Sequence, residues 1–129
     1  LSPAIPGVPR PERAADVFAI DPLRRLVTLR RYPAGHAAHA DAALLLLFGF
    51  KQALGEHGRG VEVVRLKAAL TASGHPHARI DRTLENYRTR GLVEKHGHRK
   101  GSRYELTENG SQRAAALVQA LAGADTTTT

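Results

Sequence analysis

The sequence contains no cysteine, methionine or tryptophan, and its only aromatic residues are three tyrosines and three phenylalanines. Without cysteine the chain has no disulfides, no thiolate metal ligands and no thiol nucleophile, and this gives a weak indication of a reducing compartment. With so few aromatic residues, alanine and leucine must fill most of the core, which favours a helix-rich fold. The fold must be held by packing alone.

Long hydrophobic runs are also missing. The longest, "AALLLLFGF" at residues 42–50, is roughly half of the ~20 residues that a membrane-spanning helix needs. No signal-peptide pattern begins the chain. We therefore expect a cytoplasmic protein with no membrane partner.

The motifs of common enzymes are absent as well. The sequence has no Ser-His-Asp signature, no phosphate-binding G-x-x-x-x-G-K-[ST] loop and no paired carboxylate cluster. The glycine-rich stretch "GEHGRG" at residues 55–60 follows no predicted strand and begins no nucleotide-binding helix, so we interpret it as a loop. We expect no enzymatic activity and no cofactor.

What the sequence does have is concentrated positive charge. The net charge of the chain is +7. Its length of 129 residues suits one domain. Residues 75–104 hold eight lysines and arginines against three carboxylates, so this window carries five of the seven net charges. Such clustering is typical of a protein that binds a polyanion. The alternative is a basic face that is merely solvated.

The N-terminal third predicts little regular structure. Residues 1–21 are proline-rich at their start and are expected to form a flexible arm. For residues 22–35 we predict an accessory helix over about 22–31, with Asp21 as its N-cap and Pro33 as its stop. A strand is the alternative, because "LVTL" is also β-prone. At the other end, residues 123–129 are expected to be a disordered tail.

The next segment predicts a helix over about 42–55, with Asp41 as its N-cap. Its leucines and phenylalanines surround the axis, whereas a surface helix would show a single apolar stripe. Something must cover the second apolar face, either the preceding helix or another copy of the chain. On this ground we expect a homodimer through helix 42–55.

Four more elements follow in the pattern of apolar residues. "VVRLKAALTASG" predicts a short helix that ends at Gly74. A helix over about 76–90 is expected to bury Ile80, Leu84 and Tyr87. Its opposite stripe is polar and basic and consists of Arg79, Arg82, Thr83, Asn86 and Arg90. A β-hairpin over about 92–107 and a helix over about 108–122 complete the prediction.

The order helix, short helix, helix, hairpin, helix is that of a winged helix-turn-helix. "TLENYRTRGLVEKHGHRKGSRYELTENG" resembles the MarR and PadR type of bacterial DNA-binding regulators, over about residues 36–122. The resemblance implies a mainly α fold with a small β-hairpin (α+β), and a basic wing tip from Gly97 to Arg103. It also implies five core positions, which are Leu84, Leu92, Val93, Tyr104 and Leu106.

A helix with one buried and one basic face fits the major groove of DNA, which is about 12 Å wide. We therefore predict that recognition helix 76–90 reads double-stranded DNA. Base-edge contacts are expected from arginine and asparagine side chains, here Arg79, Arg82 and Asn86. Phosphate or minor-groove contacts are expected from the rest of the stripe and from the wing, here Thr83, Arg90, Arg99, Lys100, Ser102 and Arg103.

The predicted function is that of a transcriptional regulator. The alternative is a winged helix that serves as a protein-interaction module within a larger assembly, with helix 42–55 as its adhesive face. In another alternative, Asp81 and Glu85 hold Arg82 or Arg88 in exposed ion pairs and the stripe is only solvated. RNA is also open, although the sequence lacks aromatic platforms for stacking single strands.

Seven histidines are spread over four short clusters. Pairs such as His36 with His39 have the spacing of metal ligands on a helix, but no cysteine accompanies them and no third ligand follows from the spacing. We therefore expect no metal site. Four of the histidines fall in the basic window and are expected to add positive charge below about pH 6.5. They are His75, His77, His96 and His98.

Overall fold

A computed structural model describes residues 17–35, 37–54, 60–75, 79–97 and 101–123. This part of the chain forms an α+β fold with four helices and two small antiparallel sheets. In chain order the elements are β1 (Phe18–Asp21), β2 (Leu26–Leu29), α1 (Ala38–Leu54), β3 (Val61–Glu62), α2 (Val63–Ala72), α3 (Ile80–Thr89), β4 (Val93–His96), β5 (Arg103–Leu106) and α4 (Glu108–Gly123).

The helix predicted over 22–31, within the accessory segment 22–35, is wrong. β1 and β2 instead pair as an antiparallel hairpin, with Phe18 opposite Leu29 and Asp21 opposite Leu26. The carboxylate of Asp21 accepts hydrogen bonds from the backbone N–H groups of the second and third residues after it, at 3.1 and 3.2 Å. An aspartate makes the same side-chain-to-backbone hydrogen bonds when it starts a turn and when it caps a helix. The dipeptide Asp-Pro alone therefore does not distinguish a turn from the start of a helix.

The expected flexible arm over residues 1–21 is also corrected in part. Residues 18–21 are the strand β1, because they pair along their length with β2 and Phe18 is buried. Residues 1–16 lie outside the described part of the chain, so the rest of that prediction stays a prediction. The same holds for the predicted tail beyond Gly123.

Helix α1 begins at Ala38, four residues earlier than predicted, and runs through the centre of the fold. Six large apolar side chains of this helix are no more than 2% exposed, and they are Leu44, Leu45, Leu46, Leu47, Phe48 and Phe50. Asp41 is therefore not an N-cap: it lies inside the helix, is 5% exposed, and donates its N–H to the Ala37 carbonyl. The prediction failed because an aspartate before an apolar run is typical of an N-cap. The sequence does not show that the carboxylate has a different partner in the folded chain.

The chain itself covers both apolar faces of α1. The β1–β2 hairpin lies against Gly49, where a Cβ atom would stand 2.8 Å from Val27 Cγ1 and 3.1 Å from Phe18 Cδ1. Helices α2, α3 and α4 and strand β5 contact the other sides. The reason for expecting a homodimer through helix 42–55 therefore disappears, because the apolar side chains described on this helix are already buried within one chain.

Helices α2 and α3 follow the predicted apolar spacing. α2 buries Val63, Leu66, Ala69 and Leu70 and ends before Gly74, as predicted. α3 buries Ile80, Leu84 and Tyr87, also as predicted, but it begins at Ile80 and ends at Thr89. Residues 76–78 lie outside the described part.

The second sheet has the strand order β3-β5-β4. Strands β4 and β5 form the predicted hairpin, with Val93 opposite Leu106 and His96 opposite Arg103. β3 was missed, because only two residues pair with a strand some forty positions away, Val61 with Tyr104 and Glu62 with Arg103. The five core positions that the resemblance implied are all buried, each no more than 8% exposed.

Helix α4 begins one residue after Thr107, whose side chain acts as its N-cap. The Thr107 hydroxyl accepts a hydrogen bond from the Gly110 N–H at 3.1 Å and donates one to the Gly91 carbonyl at 2.6 Å. The Leu92 carbonyl accepts a hydrogen bond from the Thr107 N–H at 3.1 Å. These bonds join the end of α3 to the start of α4 and explain the structural role of the sequences "GLV" and "LTENG".

Within the described residues, no helix is both long and apolar enough to cross a membrane.

Candidate nucleic-acid interface

The outer face of α3 carries the polar stripe that the sequence predicted. Arg82 and Asn86 are both exposed and lie opposite the buried residues of the helix. Because they are four positions apart, their side chains are neighbours on one side of the helix. Thr83, at the edge of the stripe, is half-buried. The stripe therefore presents one guanidinium and one amide group side by side.

The carboxylates of α3 are occupied by groups other than Arg82. Glu85 pairs with Arg88 at 3.8 Å, and Asp81 pairs with Lys95 at 3.5 Å. Within the described residues, Arg82 has no ion pair. The exposed-pair alternative thus holds for Arg88 and does not account for Arg82, whose charge is open to an external anion.

Arg79 precedes the helix rather than lying on it. It is the N-cap residue of α3 and makes no side-chain capping bond. Its side chain is exposed and borders a shallow cleft of about 430 Å³, whose other lining residues are Val63, Lys67, Ile80, Asp81 and Arg82. With Arg79 included, three of the lining side chains are cations and one is an anion, so the cleft is basic. The first N–H groups of a helix add further positive potential at such a place.

Arg90, the last residue of the predicted stripe, is the C-cap of α3 and is exposed. Its guanidinium lies 5.6 Å from the centre of the Tyr87 ring. Arg79 and Arg82 therefore stand together at one end of the helix, Asn86 lies in the middle, and Arg90 stands at the far end.

Asp81 fastens α3 to the second sheet. The buried Tyr104 hydroxyl donates a hydrogen bond of 2.6 Å to Asp81 Oδ1, and Lys95 Nζ lies 3.5 Å from the same oxygen. The hydrogen bond from Tyr104 is the main cause that lowers the pKa of the Asp81 carboxyl, and the charge of Lys95 lowers it further. Burial, and then the same hydrogen bond, raise the pKa of the Tyr104 hydroxyl. The beginning of α3 and both strands of the hairpin thus share one polar contact.

Acidification is expected to weaken this attachment. Because the pKa of the Asp81 carboxyl is lowered in the folded chain, its contact contributes stability at neutral pH, and that contribution is lost as the pH falls below about 4 toward the folded-state pKa. Asp81→Asn should lower stability at pH 7 by less than about 1 kcal/mol, since the side chain is 56% exposed. The difference from the wild-type melting temperature should shrink below about pH 4.

The control for this measurement is Glu85→Gln. It removes a carboxylate from the same helix but leaves the hydrogen bond between Tyr104 and Asp81 in place. The difference in melting temperature between the wild type and Glu85→Gln should therefore not shrink below about pH 4 as it does for Asp81→Asn. An Asp81→Asn protein whose melting temperature changes with pH in the same way as that of the wild type would contradict the assignment.

A buried polar network holds the inner side of α3. Arg113 of α4 donates to Asp41 Oδ1 through Nη2 at 3.0 Å and Nε at 3.2 Å, and to the Tyr87 hydroxyl at 2.9 Å. The Tyr87 hydroxyl in turn donates a short hydrogen bond to Asp41 Oδ1. Burial, followed by the bond to Asp41, raises the pKa of the Tyr87 hydroxyl. The network links α1, α3 and α4, and no local pattern could reveal it because its members lie far apart in the sequence.

The wing is described only at its base. Arg103 is half-buried on β5, and Arg99 and Lys100 lie outside the described residues. Ser102 is corrected: it is fully buried and its carbonyl accepts a hydrogen bond from the Val63 N–H at 3.0 Å, so its side chain cannot reach a phosphate. A serine between a basic loop and a strand looked exposed, but it lies beside the start of α2, whose first residue bonds to its carbonyl.

The structure describes three histidines, and two of them share one neighbour. Tyr32 contacts two of them: its hydroxyl lies 2.6 Å from His39 Nδ1, and its ring stacks on His75 with the centroids 3.7 Å apart. His96 pairs with Glu105 at 3.1 Å. The other four histidines lie outside the described part.

Comparison of the chain with protein-family models, curated proteins and solved structures found no match.

Proposed function

We propose that this chain binds double-stranded DNA as a winged helix-turn-helix and acts as a transcriptional regulator. The observation that carries the proposal is the outer face of α3, where Arg82 and Asn86 stand side by side and exposed on a helix whose other face is locked into the core. Such a helix can enter a groove without disturbing the fold.

The arrangement of elements supports this proposal. Helices α2 and α3 follow one another across a short connection, and the β4–β5 hairpin comes directly after α3. The strand order β3-β5-β4 puts β5 in the centre, where Tyr104 bonds to Asp81 and so couples the hairpin to the first turn of α3. A reading helix and a wing fixed to each other present one continuous surface to a duplex.

The chemistry of the side chains suggests a division of roles. Arginine can bond both the O6 and N7 atoms of guanine, and asparagine both the N6 and N7 atoms of adenine, so Arg82 and Asn86 are assigned to base edges. Arg79 was predicted to contact a base edge, but it precedes α3 and lines the cleft beside the helix N-terminus, so it is now assigned with Lys67 to phosphates of one strand. Arg103 and the wing residues Arg99 and Lys100 are assigned to the backbone or the minor groove on the other side.

The interaction-module alternative has lost its main support. It depended on helix 42–55 as an adhesive surface, but the leucines and phenylalanines of α1 whose burial is described, at positions 44–48 and 50, are buried within the chain. The charge pattern also favours a polyanion. Among the described residues, Arg82 on the exposed side of α3 has no ion pair, because the carboxylates of this helix pair with Arg88 and Lys95.

Fluorescence anisotropy with labelled duplexes tests the proposal. The chain should bind a random duplex with a dissociation constant of about 1–100 μM at physiological salt, and binding should weaken steeply as salt rises. It should bind a preferred site, selected from a randomised pool, more tightly. Arg82→Ala and Asn86→Ala should each cost about 1–3 kcal/mol on that site and relax its preferred bases.

Arg88→Ala is the matched control. It removes one arginine from the same helix, so it changes the net charge as Arg82→Ala does, but its side chain pairs with Glu85 instead of extending the stripe. It should leave the base preference unchanged. Equal losses for Arg82→Ala and Arg88→Ala on preferred and random DNA would refute the assignment of Arg82 to a base, and no binding to any duplex would refute the proposed function.

A further inference from the structure

The turn between β1 and β2 carries the most exposed large apolar side chain of the described residues. Leu23 is 96% exposed, and the side chain of the next residue, Arg24, is 79% exposed. The turn is nevertheless well defined, because the Asp21 carboxylate accepts hydrogen bonds from the N–H groups of Leu23 and Arg24. We call residues 22–25 the hairpin tip. It has a fixed shape with an apolar and a basic side chain directed into solvent.

The hairpin is attached to α2 at both ends. Near the tip, Arg65 Nη2 donates to the Arg25 carbonyl at 2.9 Å. At the base, the Leu29 N–H donates to Ser73 Oγ, also at 2.9 Å. Because Arg65 lies in the first turn of α2 and Ser73 follows its last, β2 runs along the whole helix. The hairpin tip therefore stands beside the N-terminal end of α2.

The basic cleft stands on the other side of the same part of α2. Val63 and Lys67 line that cleft together with the start of α3. Arg65 and Lys67 are two positions apart, which places them about 200° apart around the helix. The hairpin tip and the cleft are thus separated by one helix, about 10 Å across.

We propose that the hairpin tip is a second DNA contact, flanking the place where α3 lies in the major groove, with Arg24 on a phosphate and Leu23 against the sugar wall of the adjacent minor groove. This inference rests on the proposed function. With α3 in a groove about 12 Å wide, a point beyond α2 lies past the strand that borders the groove. Leucine is among the apolar side chains that proteins place in the minor groove.

Charge favours DNA over a protein partner at this tip. Leu23 is followed directly by Arg24 and Arg25, and the cleft on the other side of α2 is also basic, so the hairpin tip extends a positively charged surface that suits a polyanion. The pair between Arg24 and Asp21 is long, at 3.7 Å, and both side chains are largely exposed. Such a pair contributes little and is readily exchanged for a phosphate.

The test measures binding to a random duplex at several salt concentrations for Arg24→Ala, Leu23→Ser and the control Arg30→Ala. Arg30 is an exposed arginine of the same hairpin, but it follows β2 at the base and not at the tip. Loss of one phosphate contact should reduce the slope of log K against log salt by about 0.9 for Arg24→Ala. Arg30→Ala should keep the wild-type slope, and Leu23→Ser should weaken binding several-fold at every salt concentration with the slope unchanged.

Including Arg82→Ala in the same series separates the two proposals. If Arg82→Ala weakens binding while both tip variants match the wild type, the hairpin tip does not touch DNA and only this inference is overturned. If the wild type binds no duplex, the proposed function and this inference fall together. Because both tip side chains are solvent-exposed, circular dichroism should show all variants folded, so a loss of binding cannot be ascribed to unfolding.

Discussion

Replacing Arg113 by alanine is expected to destabilise the fold by about 2–3 kcal/mol, because it leaves a buried carboxylate without its cation, which is itself 35% exposed. Asp41 is 5% exposed and receives two hydrogen bonds from the Arg113 guanidinium. In Arg113→Ala, among the residues that the structure describes, Asp41 keeps one side-chain partner, the Tyr87 hydroxyl. A single neutral donor does not offset the desolvation of a charged group in the core.

Urea unfolding followed by circular dichroism measures the effect, and a triple variant serves as control. Asp41→Leu with Arg113→Met and Tyr87→Phe removes both charges and the buried hydroxyl that bonds to them, and it retains apolar volume, so it should recover most of the stability lost in Arg113→Ala. A loss below about 1 kcal/mol for Arg113→Ala would mean that water reaches the Asp41 carboxylate and that the network is not buried in solution.

The second large effect is expected at Gly110, in the first turn of α4. A Cβ atom at this position would overlap the Leu92 carbonyl oxygen and come within 3.0 Å of Leu106 Cδ2. The carbonyl belongs to the backbone and also accepts the hydrogen bond from the Thr107 N–H, so it cannot turn aside without releasing that bond. Gly110→Ala should therefore destabilise the fold by about 3 kcal/mol, despite the better helix propensity of alanine.

Gly101→Ala is the matched control for this substitution. A Cβ atom at Gly101 would meet nothing within 4 Å, so the change should leave the urea midpoint close to that of the wild type. If Gly110→Ala were as stable as Gly101→Ala, α4 would have to be able to move away from the Leu92 carbonyl at little cost.

The parts of the fold that the sequence predicted are those set by local patterns. Ile80, Leu84 and Tyr87 repeat with the period of a helix, and all three are buried on α3. The alternation around Tyr104 and Leu106 correctly predicted β5. In these segments, the apolar period and the glycines at their ends favour the same structure.

The parts that it missed depend on partners far along the chain. The hairpin β1–β2 looked like a helix because its Asp-Pro turn resembles an N-cap, and only packing against α1 and α2 decides between the two. At the candidate interface, the exposure of Arg82 and Asn86 was predicted, whereas the burial of Ser102 was not, because its carbonyl bonds to the N–H of Val63, some forty positions away. Periodicity carries no information about such distant coverage.

The position of Gly49 has a consequence for how the chain can be divided. Since Phe18 and Val27 rest on α1 where this glycine leaves room, a fragment that starts at residue 36 would lay bare one side of a helix that is apolar all round. Such a surface promotes self-association. A fragment of residues 36–122 is therefore expected to self-associate, whereas a chain that keeps the β1–β2 hairpin covers this side of α1 itself.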